Sequence, residues 1–201
     1  MTHLEVLSRQ SAEALPFLKQ MPFINQFYLA GGTGLALQLG HRLSADFDFF
    51  SKKNFDEARI LRELAETKSF SLEKRDIQTV IGTFKKTKIA LFYYPYPLLK
   101  DTVAQDGIKT ASVLDIACMK IEAISSRGTK RDFIDLYEAA KQIPIKELLL
   151  QFETKYSSLK YNMMHIKKSL LYFNDAEDEP MPKMLTPISW EEVKNFFKKS
   201  F

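Results

Sequence analysis

Two aspartates one residue apart, Asp46 and Asp48, are the side chains of this chain best spaced to do chemistry. They alternate with Phe47 and Phe49. A strand has a side-chain period of two, so it turns both carboxylates to one face and both rings to the other. Along such a strand the acids stand ~6.6 Å apart, from a rise of ~3.3 Å per residue. Aspartate is a poor strand former, and like charges on one face repel. A divalent cation with oxygen ligands would offset both costs; the plain alternative is a strand with a solvated face. Upstream, Gly31 and Gly32 follow the apolar run Phe27-Tyr28-Leu29-Ala30 and precede a helical pattern from Thr33 to Leu39. Glycines let a backbone approach a ligand closely, and free N–H groups at a helix start attract phosphate. A tight strand-to-helix turn with no ligand is the simpler reading of Gly-Gly alone. Taken together, the turn and the paired acids predict a site for a nucleoside triphosphate and its metal.

A second set of charges lies between Ser112 and Ala140. Lys120, Ala123 and Arg127 are three and four residues apart and share one helix face. Lys120 could therefore reach a triphosphate while Ala123 leaves room; a solvated face with ordinary ion pairs is the alternative. Arg131 and Asp135, at i and i+4, are expected to pair with each other. The strand expected over Lys88 to Tyr93 holds no acid, so a general base would have to come from the helical half. Asp132 is the candidate, with Asp135 one turn away as its substitute. His41 is expected to pack or to contact phosphate rather than to ligate a metal. Cys118 sits in an apolar helical pattern and reads as core.

Positioning these groups requires a strand, a Gly-rich turn, a short helix, a polar turn and a second strand between Leu29 and Ser51. Residues ~3 to 20 read as a helix interrupted by Pro16. Asn54 is a plausible N-cap for the helix that follows. Phe70 to Arg75, Gln78 to Phe84 and Lys88 to Tyr94 read as strands, the last two joined as a hairpin. From Ser112 the pattern is helical: one helix to Gly128, then Thr129 to Lys141, Ile145 to Tyr156 and Leu159 to Phe173. The run Asn174 to Glu179 reads as a solvated acidic loop. Ser189 and Glu192 form a capping box for a last helix whose Trp190, Val193, Phe196 and Phe197 dock onto the body. The expected fold is α+β: a mixed sheet of about five strands with helices on one face, then a C-terminal helical half. The division falls near residue 105, giving an α+β core over 1–105 and a helical half over 106–201, with the site in the cleft between them.

The run GGTGLALQLGHRLSADFDFF resembles the first motif of nucleotidyltransferases, in the Gly-His-Arg-x-Ser form of the nucleotidyl transferase AbiEii/AbiGii toxin family. SVLDIACMKIEAISSRGTKRDFIDLYEAA is similar to that family's downstream motif, and the two occur in the family's order. The resemblance implies a nucleotidyltransferase fold in which Asp46 and Asp48 hold Mg²⁺ or Mn²⁺. It makes Lys120 the nucleotide-contacting lysine and Asp132 the late acidic residue. Gly31, Gly32, Thr33, Ser44 and Arg127 would complete the nucleotide site. It also implies a toxin of a toxin–antitoxin or abortive-infection system, with an NTP as substrate, tRNA or another RNA as acceptor, and an antitoxin as partner. A catalytically silent nucleotide-binding or regulatory module, and transfer to a small molecule or protein, are the alternatives.

Composition limits the field. The chain has 201 residues, 45% hydrophobic and 27% charged, as in ordinary globular domains. No apolar run approaches ~18 residues, so no membrane-spanning helix is expected. A single cysteine excludes an internal disulfide framework and fits a reducing cytoplasm. The net charge of +4 accommodates nucleic acid without demanding it.

Overall fold

The computed structural model describes residues 2–201. A mixed seven-stranded sheet runs β1 (Tyr28–Ala30), β2 (Phe47–Ser51), β3 (Phe70–Asp76), β4 (Thr79–Phe84), β5 (Thr87–Tyr93), β6 (Val103–Gln105) and β7 (Ile108–Thr110) along the chain. In space the order is β3-β4-β5-β2-β1-β7-β6. The β2–β5 and β1–β7 pairs are parallel and the other pairs antiparallel. The sheet therefore has two strands beyond the five expected. Both are three residues long, too short to carry a pattern, and they form a hairpin across residue 105. That hairpin belongs to the sheet, so the passage from sheet to helices comes at Ser112, where the first long helix of the second half is capped.

Alternation along β2 decides what each face of the sheet meets. Phe47 and Phe49 are buried and stack with ring centroids 6.1 Å apart. They join a core with Leu29, Val80, Phe84, Ile89 and Leu91, covered by α1 (Arg9–Gln20) and α3 (Glu57–Glu66). The opposite face carries Tyr28, Ala30, Asp48 and Phe50. It meets Leu35 of α2 (Gly31–Leu39) and Ile116 of α4 (Val113–Ser126).

The helical half packs α4 against α5 (Lys130–Ala140), α6 (Ile145–Lys155), α7 (Met163–Ser169) and α9 (Trp190–Ser200) around a second core. The capping box at Ser189 and Glu192 is present, and Trp190 and Phe197 pack on Phe133. Three local expectations change. Asp56 rather than Asn54 caps α3, its carboxylate accepting from Arg59 N–H at 3.0 Å. The helix expected over Leu159 to Phe173 shrinks to α7, opened by Asn162, whose side chain caps Met164 and His165. Asn174–Glu177 forms a short helix, α8, rather than a solvated loop; Glu177 is tied to Lys194 and Trp190.

Candidate active site

The cleft lies where the carboxylate face of β2 meets α4 and α5, and it encloses about 880 Å³. From the Gly-Gly turn, Gly32 and Thr33 line it, while Gly31 stands behind Asp48. Helix α2 starts at Gly31 without a side-chain cap, so its first N–H groups are free of intrahelical partners and available to an anion. Both glycines are required by their neighbours. Gly31 has φ of +61°, and a Cβ there would stand 2.6 Å from a carboxylate oxygen of Asp48. A Cβ on Gly32 would collide with the guanidinium of Arg42. The turn that frees the helix start thus also makes room for two charged side chains of the cleft.

Asp46 and Asp48 both line this cleft, Asp46 exposed and Asp48 half-buried. Burial raises the pKa of Asp48; Lys120 opposes the rise and Asp46 adds to it. The Thr33 hydroxyl donates to the Asp46 carbonyl and accepts from the Ser44 hydroxyl at 2.7 Å. These two hydroxyls hold the turn that delivers Asp46. Beside Asp48 on β5 stands Ala90, the partner in parallel register, so no third carboxylate enters from this strand. Lys88 of the same strand lines the cleft, and no ion-pair partner is found for it among the described residues.

The opposite wall is a buried charge network. Asp135 accepts from Arg42 through two bonds, 2.7 and 2.8 Å, from His41 at 2.9 Å, and pairs with Lys120 at 2.7 Å. Asp132 accepts from Lys120 at 2.9 Å, from Arg127 at 2.9 and 3.1 Å, and from the Thr129 hydroxyl at 2.7 Å. Burial opposes ionisation of Asp132, but Lys120 and Arg127 outweigh it and bring its pKa down to about 2. Asp135 is likewise held well below the usual range: burial opposes its charge, and Lys120 and Arg42 overcome that. For Lys120, burial works against the charge and the two aspartates more than restore it, so the ammonium is locked on.

This network departs from the sequence reading at four places. Asp135 pairs with His41, Arg42 and Lys120 instead of Arg131, because α5 turns it inward; Arg131 is left exposed at the cleft rim. Asp132 is held ionised by Lys120 and Arg127. A carboxylate with pKa about 2 and both oxygens occupied is a weak proton acceptor near neutral pH. Asp135, fully buried, has no access to an acceptor. Arg42, the arginine of the Gly-His-Arg-x-Ser run, is not among the expected site residues yet joins the network; its partner lies 93 residues away. Cys118 is core as expected, its thiol pushed up to about 12 by burial.

Metal binding can be tested on the donor set. Among the described residues no group of three or more His, Cys, Asp or Glu side chains is arranged to hold a metal. Two cleft carboxylates without further protein ligands suit Mg²⁺, which is commonly held by one or two carboxylates and completed by substrate phosphates. No helix is long and apolar enough to cross a membrane among the described residues.

Comparisons with known proteins bear on the family and the fold. The family model described as nucleotidyl transferase AbiEii toxin, type IV toxin–antitoxin system, matches residues 17–106. An uncharacterized protein of Aquifex aeolicus (strain VF5), aq_aa25, is 38% identical over 199 residues, 96% of this chain and 95% of its own length. Among solved structures, MenT4, a nucleotidyltransferase toxin from Mycobacterium tuberculosis H37Rv, superposes with a TM-score of 0.59 at 14% identity, covering 96% of this chain and 82% of its own. A putative nucleotidyltransferase from H. pylori gives 0.55 at 16% identity, covering 96% and 93%. At these identities the two structures speak to the shared fold.

Proposed function

The chain belongs to the nucleotidyl transferase AbiEii toxin family, and on that premise we propose that it moves a nucleoside monophosphate from an NTP to an acceptor hydroxyl, with Mg²⁺ or Mn²⁺. The observation that carries this reading is the facing of Asp46 and Asp48 by Lys120 and Arg127 across one cleft, above the free helix start at Gly31. Asp46 and Asp48 would hold the metal. When bound, the metal supplies charge neutralisation on the triphosphate and its leaving pyrophosphate.

The chain's own residues do the rest. N–H groups at Gly31, Gly32 and Thr33 bind phosphate oxygens. Lys120 and Arg127, held by Asp132, present fixed positive charge to the triphosphate, which costs no reorganisation during the reaction. Thr33 and Ser44 set the turn that carries Asp46. Asp132 is thereby a positioning residue. The remaining carboxylate of the lining is Glu179, which uses one oxygen to accept from Lys130 N–H at 2.8 Å. Its other oxygen has no partner among the described residues, and we assign it the acceptor's proton.

RNA is the acceptor this cleft suits best. Lys88, Arg131 and Lys183 stand at the lining with no ion-pair partner among the described residues, and clustered free cations attract a polyanion. The family's type IV toxin–antitoxin description supports an antitoxin as partner, and we propose a cytoplasmic setting for the pair. The test is incubation with each labelled NTP, Mg²⁺ and total RNA. Label should enter RNA with wild-type protein and not with Asp48→Asn. Binding of Mg²⁺–NTP without transfer to RNA, small molecules or protein would instead support a silent nucleotide-binding module, the reading favoured by Ala90 at the position beside Asp48.

A further inference from the structure

The segment between α8 and α9 crosses the cleft as a strap and contributes Glu179, Pro180, Met181, Pro182 and Lys183 to its wall. It is fixed at both ends. At the first, Lys130 bonds Glu179 through its N–H to the carboxylate and through its ammonium to the Glu179 carbonyl and, at 3.0 Å, the Glu177 carbonyl. At the second, the strap runs antiparallel to His41–Leu43: Leu43 N–H bonds the Lys183 carbonyl at 2.8 Å, and Leu185 N–H bonds that of His41 at 2.9 Å. Followed in this register, Met181 comes level with Ala45, next to Asp46. Among the described residues no backbone bond joins Met181 to Ala45: Pro182 has no N–H, and Ser44 N–H, which faces away from the strap in this register, bonds the Val6 carbonyl at 2.8 Å. Ala45 and Met181 both line the cleft.

The strap's chemistry differs from that of the remaining wall. Around the paired aspartates the lining is charged or hydroxyl-bearing, suited to phosphates and metal. Met181 is 38% exposed and is, among the described residues, the one exposed large apolar side chain of the lining. Proline on each side fixes the backbone and removes N–H donors. An apolar, polarisable thioether on a pinned backbone makes favourable contact with an aromatic ring, and holding it in place beforehand lowers the cost of binding.

We propose that Met181 and its flanking prolines form the platform against which the nucleobase of the NTP lies, with the triphosphate directed to Gly31, Lys120 and the paired aspartates. This rests on the nucleotidyl-transfer reading and adds the residue that holds the base. Binding to the strap is by ring face, so all four bases are accepted to similar degrees.

The test compares two probes with Mg²⁺ by calorimetry: each of ATP, CTP, GTP and UTP, and inorganic tripolyphosphate, which has no base. Met181→Ala should weaken NTP binding by about 2- to 10-fold, the range expected for a sulfur–aromatic contact, and leave tripolyphosphate binding unchanged. Met181→Leu should retain most of the NTP affinity. Thermal melting of the variants should match wild type, since Met181 is exposed. Unchanged NTP affinity in Met181→Ala, or equal losses for both probes, would overturn the proposal while leaving the transfer reading intact. Failure of the wild-type protein to bind either probe would overturn that reading and the proposal together.

Discussion

At the scale of single residues, the cleft contains carboxylates of opposite character. Asp48 is raised in pKa by burial, so its charge is held at a cost to the fold when no cation is bound. Asp48→Asn should therefore abolish transfer and leave the melting temperature at pH 7 unchanged or higher; a large fall in melting temperature would make the residue structural. Asp132 is the reverse case, ionised and saturated by Lys120, Arg127 and Thr129. Asp132→Asn leaves Lys120 short of a charge partner in a buried site, and breaking such a pair costs on the order of 3–5 kcal/mol. The expected outcome is a marked loss of stability together with weakened NTP binding, read by denaturant titration and calorimetry. Glu179→Gln keeps an oxygen to accept from Lys130 N–H but removes the proton acceptor. It should preserve folding and NTP binding while slowing transfer by ~10²–10⁴, the usual worth of a general base. An unchanged rate would remove Glu179 from that role and leave the proton to water.

At the scale of elements, the Gly-Gly turn, the 41–46 segment and α5 form one device. Helix α2 must begin without a cap for its N–H groups to reach phosphate, and it must begin with glycines for Asp48 and Arg42 to fit beside it. Gly32→Ala would force the Arg42 guanidinium off Asp135, and overpacking of this kind costs ~1–3 kcal/mol. The variant should lose stability and NTP affinity together, in parallel with Arg42→Lys, which keeps the charge but cannot make the two-pronged contact. If Gly32→Ala lowered NTP affinity with full stability, the glycine would serve the ligand alone. The turn between β4 and β5 shows how local geometry is met without glycine: Lys85 and Lys86 both take positive φ, 48° and 64°, as a two-residue hairpin requires.

At the scale of the whole molecule, the sheet half and the helical half meet through buried ion pairs beside the apolar contact of Leu35 with Ile116. Arg42 and His41 come from one, Asp135 and Lys120 from the other. Acid should expose this dependence. Because Asp132 and Asp135 are depressed in the folded protein, their stabilisation is complete above the unfolded carboxylate pKa, near 3.9, and is lost as pH falls toward the folded values, about 2 for Asp132. Stability measured by urea titration should thus hold down to about pH 4 and fall between pH 4 and 2. Asp48 works in the other direction, and its contribution is relieved on protonation. A stability that stayed flat to pH 2 would mean that the network adds little to the joining of the halves.

The amino-acid sequence by itself determined those features that short-range rules govern. Period-two alternation put Asp46 and Asp48 opposite Phe47 and Phe49, and the phenylalanines are buried as that alternation demands. Helical spacing put Lys120 and Arg127 on one face, where both now reach Asp132. The capping chemistry at Ser189 fixed the start of the last helix. Tertiary structure decided the rest, because charge partners across a fold leave no mark on local spacing. Asp135 and Arg131 had ideal spacing for a pair, yet burial of α5 gave Asp135 to residues 93 and 94 positions away. Asp132, at the cleft lining, has its oxygens taken up by Lys120, Arg127 and Thr129, partners that local spacing alone does not assign. An acidic run that read as solvated loop became α8, and the segment after it became a wall of the cleft, since Lys130 bonds Glu179 and the 41–43 backbone bonds Lys183 and Leu185.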